Sequence, residues 1–523
     1  MRASLLAAAI ALLPLGGCAV GPDFTSPGWS SPASWFSGRR QPAPVPSAPA
    51  AAPIDPDWWA VFGDPRLTAL ERQVAGSNLD VQAAGLRIAE SRAQLRITGA
   101  SQYPTINANT SYEREKPSNL GIFSAFGGGG GGSAATQANG AFGNVGGSPA
   151  VPSGFGALDV FQYGFDASWE PDLWGRVRRS IESARATAEA SADARRAALL
   201  SALAEVGRDY IDLRGTQEQL RIARENLRTA RQSLALTQER AAAGLTADLD
   251  VANASAQVST VAAQIPALQQ HEQEDVNALS LLLGRPPNAL ASELAVARPV
   301  PPVPARVPVG FPSELARRRP DIRQAEAQLH TATADVGVAV ASFYPQVTLN
   351  ASLGFQALQF GNLFKWDARQ YGAGPGITLP IFQGGQLRGT LELRRAQQRE
   401  AAVNYQKTVL SAWHDVDNAL TAYEREQQRR AALVRAVEQN RRALSLAQSR
   451  YQQGFADFLP VLTAEQALLS TEQALASSVT TVSTNLVALY KALGGGWESF
   501  YPDATQADST RLRPAPGARP RKT

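Results

Sequence analysis

Cysteine, methionine and histidine are nearly absent from this chain. Its 523 residues include one cysteine, one methionine and three histidines, which are His271, His330 and His414. One cysteine can form neither an intrachain disulfide nor a CxxC metal motif, and each histidine stands alone in helical sequence. Because no nucleophile–base pair or nucleotide motif has a supporting context, the sequence predicts no enzyme, no metal site and no cofactor.

A strong excess of charge of one sign is also missing. Charged residues make up 18% of the chain, and the formal net charge is +4. This weak excess does not indicate nucleic-acid binding, which depends on a concentrated basic surface. We therefore expect no nucleic-acid partner. Most carboxylates along the helices are interpreted as members of surface pairs with arginine.

Proline is missing from two long stretches, although the chain contains 34 prolines. None occurs between Pro171 and Pro266, or between Pro380 and Pro460. Because proline breaks helix interiors, each stretch predicts a very long helix, and one helix over 172–243 would extend about 100 Å. The apolar residues of the first stretch follow the heptad spacing of coiled coils: Leu199, Leu203, Val206, Tyr210 and Leu213.

The first long helical segment recurs later in the chain. Gly244 corresponds to Gly454, and Gly284 corresponds to Gly494, at a constant spacing of 210 residues. A fixed spacing over so long a segment indicates an internal duplication. We predict two tandem helix–strand–strand–helix repeats. They cover residues 67–284, with a long helical hairpin at 172–284, and residues 313–497, with a hairpin at 382–494.

The first repeat contains an insertion. Upstream of the helices the spacing is 241 residues, because the segment 100–104 (Ala-Ser-Gln-Tyr-Pro) matches 341–345 (Ala-Ser-Phe-Tyr-Pro). The first repeat therefore has 31 additional residues, which include six consecutive glycines at 127–132. No Lys-Ser/Thr pair follows them, so they do not fit a phosphate-binding loop. We predict a mobile loop at the tip of a strand hairpin.

Four short segments alternate between apolar and polar residues, at about 103–113, 158–170, 345–356 and 370–380. A period of two predicts β-strands with one polar face. Each segment has about ten residues, the length that crosses a bilayer when tilted, and aromatic residues concentrate near the strand ends. The alternative is a half-buried soluble sheet. Four strands are too few to close a membrane barrel, so a membrane role requires at least two chains.

The amino terminus predicts export. Residues 1–17 contain Arg2 and an apolar run that is too short to span a bilayer, which is typical of a signal peptide. The segment ending in Gly17-Cys18 resembles a bacterial lipoprotein cleavage box, in which Cys18 becomes the lipidated first residue. The alternative is an ordinary secretory signal beside an incidental cysteine. Ala19 differs from the aspartate that typically retains lipoproteins in the inner membrane.

The remaining segments are predicted to be connectors. Residues 18–66 are rich in Pro, Ala and Ser and predict an extended, lipid-anchored strap. We expect a helix to begin near the end of this strap and to cover about 57–101. Residues 285–312 contain eight prolines and link the two repeats. Residues 498–523 predict a partly disordered tail.

Several motifs occur in a characteristic order: Cys18 to Phe24 (CAVGPDF), Trp58-Trp59 with Asp64-Pro65, Trp169 to Arg176 (WEPDLWGR), Leu379 to Gly385 (LPIFQGG) and Arg450 to Gly454 (RYQQG). They resemble the outer-membrane factor family of TolC-like ducts, in particular its lipoprotein efflux branch (NodT and OprM types). The resemblance covers about 18–497. It implies a mainly α-helical protein with a membrane β-barrel: a trimer with an α-barrel and a twelve-stranded β-barrel, in which 285–312 forms an equatorial belt.

The resemblance implies the outer-membrane channel of a tripartite efflux pump in a Gram-negative bacterium. Such a channel is a passive duct that exports small molecules across the periplasm and outer membrane. Its partners would be outer-membrane lipid, an inner-membrane pump of the resistance-nodulation-division type and a periplasmic adaptor protein, which would contact the helical-tip turns at Gly244 and Gly454. Two alternatives stay open: the outer-membrane channel of a type I protein secretion system, or a structural coiled-coil lipoprotein.

The resemblance also places a periplasmic gate at the turn of the second hairpin. Arg450 and Tyr451 would tie neighbouring helices together, Leu459 would narrow the opening, and Asp457 would belong to the same ring of residues. The alternatives are a helix N-cap for Asp457 and a solvated helix face for Arg450. Thr463 stands where the family usually has an aspartate, so this acidic ring is expected to be absent.

Overall fold

The structure is a computed structural model that describes residues 19–28, 35, 46–116 and 157–501. The expected signal peptide, Cys18, the six-glycine segment and residues 502–523 lie outside the described residues. The chain is mainly helical and divides into two compact units. The sheet unit comprises Met1–Asp23, Arg96–Glu182 and Ala334–Arg394; the helical unit comprises Phe24–Leu95, Ser183–Thr333 and Arg395–Thr523.

The described helices are α1 (Pro65–Ser77), α2 (Leu79–Ala100), α3 (Arg176–Ala242), α4 (Asp248–Leu282), α5 (Ala291–Leu294), α6 (Leu315–Arg318), α7 (Pro320–Ala341), α8 (Gln386–Gln452) and α9 (Leu459–Leu493). The described strands are β1 (Ala48–Ala50), β2 (Thr105–Glu115), β3 (Leu158–Trp169), β4 (Arg306–Pro308), β5 (Gln346–Ala357) and β6 (Arg369–Thr378). Short 3₁₀ turns lie between some of these elements, and the first of them covers Trp58–Phe62.

Two pairs of helices form long hairpins. α3 and α8 each contain 67 residues, so each extends about 100 Å. Their partners, α4 and α9, each contain 35 residues, and α4 continues through Pro266. In the part of the chain that the structure describes, no helix combines the length and the apolar character that crossing a membrane requires.

The helix expected over 57–101 is interrupted, which corrects the sequence analysis. A 3₁₀ turn, α1 and α2 replace it, and Asn78 separates the two helices with an extended backbone (φ −65°, ψ 127°). The Asn78 side-chain oxygen accepts hydrogen bonds from the N–H groups of Asp80 (3.0 Å) and Val81 (3.1 Å), while its amide donates to the Leu282 carbonyl (2.9 Å). The break occurs because Asn78 caps α2 and also binds the end of α4.

Two adjacent tryptophans lie at the centre of the helical unit. Trp58 and Trp59 are fully buried, and the Trp58 ring stacks on Tyr490 of α9 with 5.4 Å between ring centroids. Tyr210 of α3 donates a hydrogen bond to one carboxylate oxygen of Asp64 (2.7 Å), whose other oxygen caps α1. Burying one large aromatic side chain stabilises a fold by about 2–3 kcal/mol, so this cluster joins the 3₁₀ turn firmly to both hairpins.

The strap and the proline-rich linker meet in a small parallel sheet. β1 pairs with β4, residue for residue. Just before β1, the side-chain amide of Gln427 on α8 accepts from the N–H of Ser47 and donates to its carbonyl, both at 3.0 Å. The hydroxyl of Tyr423 donates to the Ser47 hydroxyl at 2.7 Å. The strap backbone is therefore paired on one side by the linker and on the other by α8.

The sheet unit contains a four-stranded antiparallel sheet in the order β2-β3-β5-β6. Tyr163 lies opposite Phe355 in the register of β3 and β5, and their rings stack at 5.0 Å. The other face of the sheet is polar, where Ser168 donates to Asn350 across the strands at 2.9 Å. Among the described residues, the outer edges of β2 and β6 have no strand partner.

The segment that follows Cys18 lies against the start of α3. The N–H of Val20 donates to the Trp174 carbonyl at 3.1 Å. Arg179 of α3, whose side chain is only 5% exposed, forms an ion pair with Asp23 at 2.5 Å. These contacts fix residues 19–23 within the sheet unit.

Glu71 of α1 is fully buried, and neither of its carboxyl oxygens has a hydrogen-bond partner among the described residues. Burial raises the pKa of Glu71 well above its ordinary value of 4.5. The folded protein therefore keeps this proton to a higher pH than the unfolded chain does. The stability linked to Glu71 is fully present below about pH 4.5 and is lost as the pH rises further, because only the unfolded chain releases the proton.

Replacing Glu71→Gln removes this titration and keeps the shape of the side chain. We expect the variant's melting temperature, relative to that of the parent, to increase between about pH 5 and about pH 8. Glu90→Gln, which changes an exposed carboxyl of α2, is the matched control for the loss of one carboxyl group. A Glu71→Gln difference of the same size at every pH would contradict the linkage.

Candidate functional site

The turns of the two long hairpins have the same backbone geometry. Gly244 ends α3 with φ +69°, and Gly454 ends α8 with φ +80°. In both turns the next N–H donates to the carbonyl five residues earlier, Leu245 to Arg240 and Phe455 to Arg450, each at 2.9 Å. This is a Schellman ending, which requires a left-handed residue and therefore favours glycine.

Tyr451, at the end of α8, packs inside its own chain. It is only 3% exposed, and its ring meets the Phe458 ring edge-on at 5.5 Å. Its hydroxyl lies 3.5 Å from the hydroxyl of Thr237 on α3. Both rings belong to an apolar cluster contributed by α4, α8 and α9: Ala254, Val437, Leu444, Tyr451, Phe458, Val461 and Leu468.

Arg240, which the sequence analysis does not single out, connects the two turns. Its guanidinium lies 4.8 Å from the centre of the Tyr451 ring, and one of its nitrogens donates to the Gln452 carbonyl at 3.3 Å. The last turn of α3 thus contacts the last turn of α8. The spacing of 210 residues contains a signal for this role, because it pairs Arg240 with Arg450.

The other predicted gate residues lie on the surface of the second turn. Arg450 and Asp457 are exposed, and Leu459 is 63% exposed. The alternative role of Asp457 as a helix N-cap is wrong, because the N-cap of α9 is Phe458 and no side chain caps this end. The Leu462 N–H donates to the Phe458 carbonyl at 3.1 Å, so the helical hydrogen bonds begin at Phe458, which is buried, and Asp457 lies outside the helix. The Thr463 hydroxyl donates to the Leu459 carbonyl at 2.9 Å.

Polar contacts continue along the helices behind the turns. Gln466 of α9 donates to Gln257 of α4 at 3.1 Å, and Gln473 donates to Gln264 at 2.6 Å, one heptad farther on. Glu465 of α9 is buried and accepts a hydrogen bond from the Ser233 hydroxyl of α3. Burial raises the pKa of Glu465 above its ordinary value, although this hydrogen bond opposes the rise. The two glutamine pairs show that α4 and α9 are parallel neighbours.

Among the described residues, no group of three or more His, Cys, Asp or Glu side chains could hold a metal ion. The arrangement at the two turns instead consists of glycine endings, one arginine between the turns and a buried aromatic pair. It fixes the two helix ends relative to each other.

Comparison with known proteins identifies the family. The family model described as "Outer membrane efflux protein" matches residues 70–285 and 311–495. The chain belongs to this family. It is similar to the probable efflux pump outer membrane protein TtgC of Pseudomonas putida, with 32% identity over 97% of this chain and 99% of TtgC.

Two further comparisons extend the likeness. The probable outer membrane lipoprotein SilC of Salmonella typhimurium is 28% identical over 88% of this chain and 94% of SilC. The solved structure of the outer-membrane channel OprN matches with a TM-score of 0.80 and 33% identity, and it covers 92% of this chain and all of that chain. The family resemblance stated from the sequence motifs is therefore confirmed, and so is a mainly helical fold shared with outer-membrane channels.

A substitution at Gly454 tests whether the second turn requires a residue with left-handed backbone angles. Gly454→Ala should destabilise the second turn by about 1 kcal/mol, because a side chain at positive φ is strained. We expect faster hydrogen exchange at the Phe455 N–H, measured by mass spectrometry of peptides that cover 445–462.

Gly76→Ala is the matched control, since Gly76 lies inside α1 with open space where a Cβ would be. This substitution should not speed exchange in α1, because alanine favours the helix. Unchanged exchange in Gly454→Ala would contradict the requirement for a left-handed residue at this turn.

Proposed function

We propose that this protein is the outer-membrane channel of a tripartite efflux pump and forms a passive homotrimeric duct for small molecules. The observation that carries the proposal is the four-stranded sheet of a chain from the outer membrane efflux protein family. One face of this sheet is apolar and aromatic, the other is polar, and both outer edges lack a strand partner among the described residues. This combination suits a segment of a barrel wall between lipid and a water-filled lumen.

Oligomerisation follows from the unpaired edges. Hydrocarbon offers no partner for a backbone N–H or C=O group, and each unpaired group costs several kcal/mol there. Further copies of β2 and β6 can satisfy these groups by pairing edge to edge. Three chains would give a twelve-stranded barrel, which agrees with the trimer that the family resemblance implies, and the helical hairpins would form an α-barrel in the periplasm.

The location and the partners belong to the same proposal. Lipidation at Cys18 would anchor the chain in the outer membrane, and the contacts of residues 19–23 with α3 would hold the anchor beside the sheet unit. A periplasmic adaptor would bind the tip turns at Gly244 and Gly454, and an inner-membrane pump, expected to be of the resistance-nodulation-division type, would supply the energy. No cofactor is needed for a passive duct.

The alternatives fit less well. A structural coiled-coil lipoprotein has no need for four amphipathic strands between its helices. A type I protein secretion channel would share the architecture. Efflux is favoured because TtgC, at 32% identity over nearly the whole chain, is named as an efflux pump component.

The trimer gives the first test. We expect the detergent-purified protein to have a mass of about three times the 55.5 kDa of one chain, after correction for bound detergent in light scattering. The same sample should conduct ions after insertion into planar bilayers. A monodisperse monomer that forms no channels would contradict the duct.

We propose that the gate consists of the residues predicted from the sequence together with Arg240. Arg450, Tyr451, Asp457 and Leu459 keep their proposed roles around the aperture, and Arg240 joins them because it holds the end of α3 on Tyr451. A cation–π contact of this kind and one hydrogen bond each contribute about 1 kcal/mol. Three copies of such contacts would favour the closed tips.

Arg240→Ala combined with Arg450→Ala should open the channel. Losing the cation–π contact and the hydrogen bond of Arg240, about 2 kcal/mol in each of three chains, would raise the ratio of open to closed channels about 10,000-fold, which single-channel recording can measure. Trimer melting should not change, because the core around Trp58 is untouched. Arg231→Ala is the matched control, because Arg231 is an exposed arginine of α3, the helix that contains Arg240. If the recorded current does not change, the constriction would have to be assigned to Leu459 instead.

A further inference from the structure

The connection between β5 and β6 packs on the apolar face of the sheet. This connection, residues 358–368, is called the aromatic loop below. The Phe360 ring meets Phe161 of β3 at 5.6 Å, and Phe364 meets Tyr163 of β3 at 5.6 Å. Trp366 meets Phe355 of β5 edge-on at 6.4 Å. The loop thus extends the aromatic surface at the end of the sheet where β5 ends and β6 begins.

The outer side of the aromatic loop is exposed. Leu358 is 58% exposed, Phe360 60%, Phe364 67% and Trp366 69%. Single exposed apolar residues are ordinary, but four large ones in nine positions form a patch that indicates a partner. One side of each ring of Phe360, Phe364 and Trp366 packs on the sheet, so a partner would contact the other, exposed side.

Positive charge borders the same patch. Lys365 is exposed, and Arg369 lies opposite Phe355 in the sheet register, which places it on the apolar face. The Arg369 guanidinium lies 4.8 Å from the Trp366 ring centre and donates to the Trp366 carbonyl at 2.8 Å. Arg369 also forms an ion pair at 4.0 Å with Asp367, a fully exposed residue of the loop, so the two cations are accompanied by one carboxylate. The aromatic loop therefore combines rings with cationic groups, as residues at a membrane–water interface do.

A second copy of the chain is a poor occupant for this patch. The loop packs on β3 and β5, the two central strands, whose edges are both paired within the chain. Another copy would pair with the outer edge of β2 or β6, in the plane of the sheet. The apolar face of the sheet would then stay uncovered. Lipid is the partner that covers such a face.

We propose that the aromatic loop is an interfacial anchor that lies in the headgroup layer of the outer membrane. Trp366, Phe364 and Phe360 insert between the upper acyl chains, while Lys365 and Arg369 bind lipid phosphate groups. The inference rests on the proposed function, since it requires the sheet unit to lie in a bilayer. It adds a lipid-binding role for a segment between two strands.

Fluorescence of Trp366 tests the position of the loop. The full-length protein is reconstituted into phosphatidylcholine vesicles whose acyl chains carry bromine either near the glycerol or near the terminal methyl group. The emission of the parent minus that of Trp366→Phe gives the signal of Trp366. We expect this signal to be shifted to the blue, quenched more by bromine near the glycerol, and protected from iodide present on both sides of the membrane.

Two additional tryptophans serve as controls in the Trp366→Phe background. Phe364→Trp places a second reporter in the loop and should behave as Trp366 does. Leu245→Trp places one at the first helical turn, where the native leucine is 65% exposed, close to the 69% of Trp366. It should be quenched by iodide and not by brominated lipid.

Conductance of the same vesicles separates the two proposals. If channels conduct but positions 364 and 366 respond like position 245, the loop proposal is overturned and the duct stands. If there is neither conductance nor quenching by lipid, both fail.

The phosphate contacts have their own test. Adding phosphatidylglycerol should increase quenching of Trp366 by brominated lipid, and Lys365→Gln with Arg369→Gln should abolish that increase. An increase that survives both substitutions would overturn phosphate binding by these side chains.

Discussion

Pairing of backbone hydrogen-bond groups is the constraint on which the rest of this structure depends. The long helices satisfy it internally, so they can extend for about 100 Å with polar side chains on much of their surface. The hairpin turns satisfy it with a left-handed glycine, and the strap satisfies it by pairing with β4 and with the Gln427 side chain. In the four-stranded sheet, the outer edges of β2 and β6 have no strand partner among the described residues. The proposed assembly follows from these two edges.

The two hairpins share a turn geometry but not the surroundings of their turns. Arg240 and Arg450 occupy corresponding positions, yet Arg240 packs on the Tyr451 ring while Arg450 is exposed. Position 241, which corresponds to Tyr451, is an alanine. One turn therefore supplies the arginine and the other supplies the aromatic ring. The two turns therefore have complementary surfaces, and one helix end holds the other.

Local patterns predicted much of the fold, whereas contacts between distant residues had to be seen. The missing prolines and the apolar–polar alternation are local signals, and long helices and strands occur in those stretches. The break at Asn78 was missed because the amide binds Leu282, far away in the sequence. The N-cap role for Asp457 failed because the burial of Phe458, a tertiary effect, starts the helix one residue later. The aromatic loop also depends on tertiary contacts, and the 210-residue spacing pairs Arg240 with Arg450 but does not predict the contact of Arg240 with the Tyr451 ring.

The contacts around Trp58 are much stronger than the contact that Arg240 makes between the two turns of the helical unit. Around Trp58, several large side chains are fully buried, and each contributes about 2–3 kcal/mol. At the turns, Arg240 offers a cation–π contact and one hydrogen bond of 3.3 Å, together about 2 kcal/mol. Binding of a partner commonly shifts an equilibrium by about 1–3 kcal/mol per site. In the proposed pump, a partner with this effect would separate the helix ends without disturbing the core, so the proposed opening at the tips is compatible with a fold that stays intact.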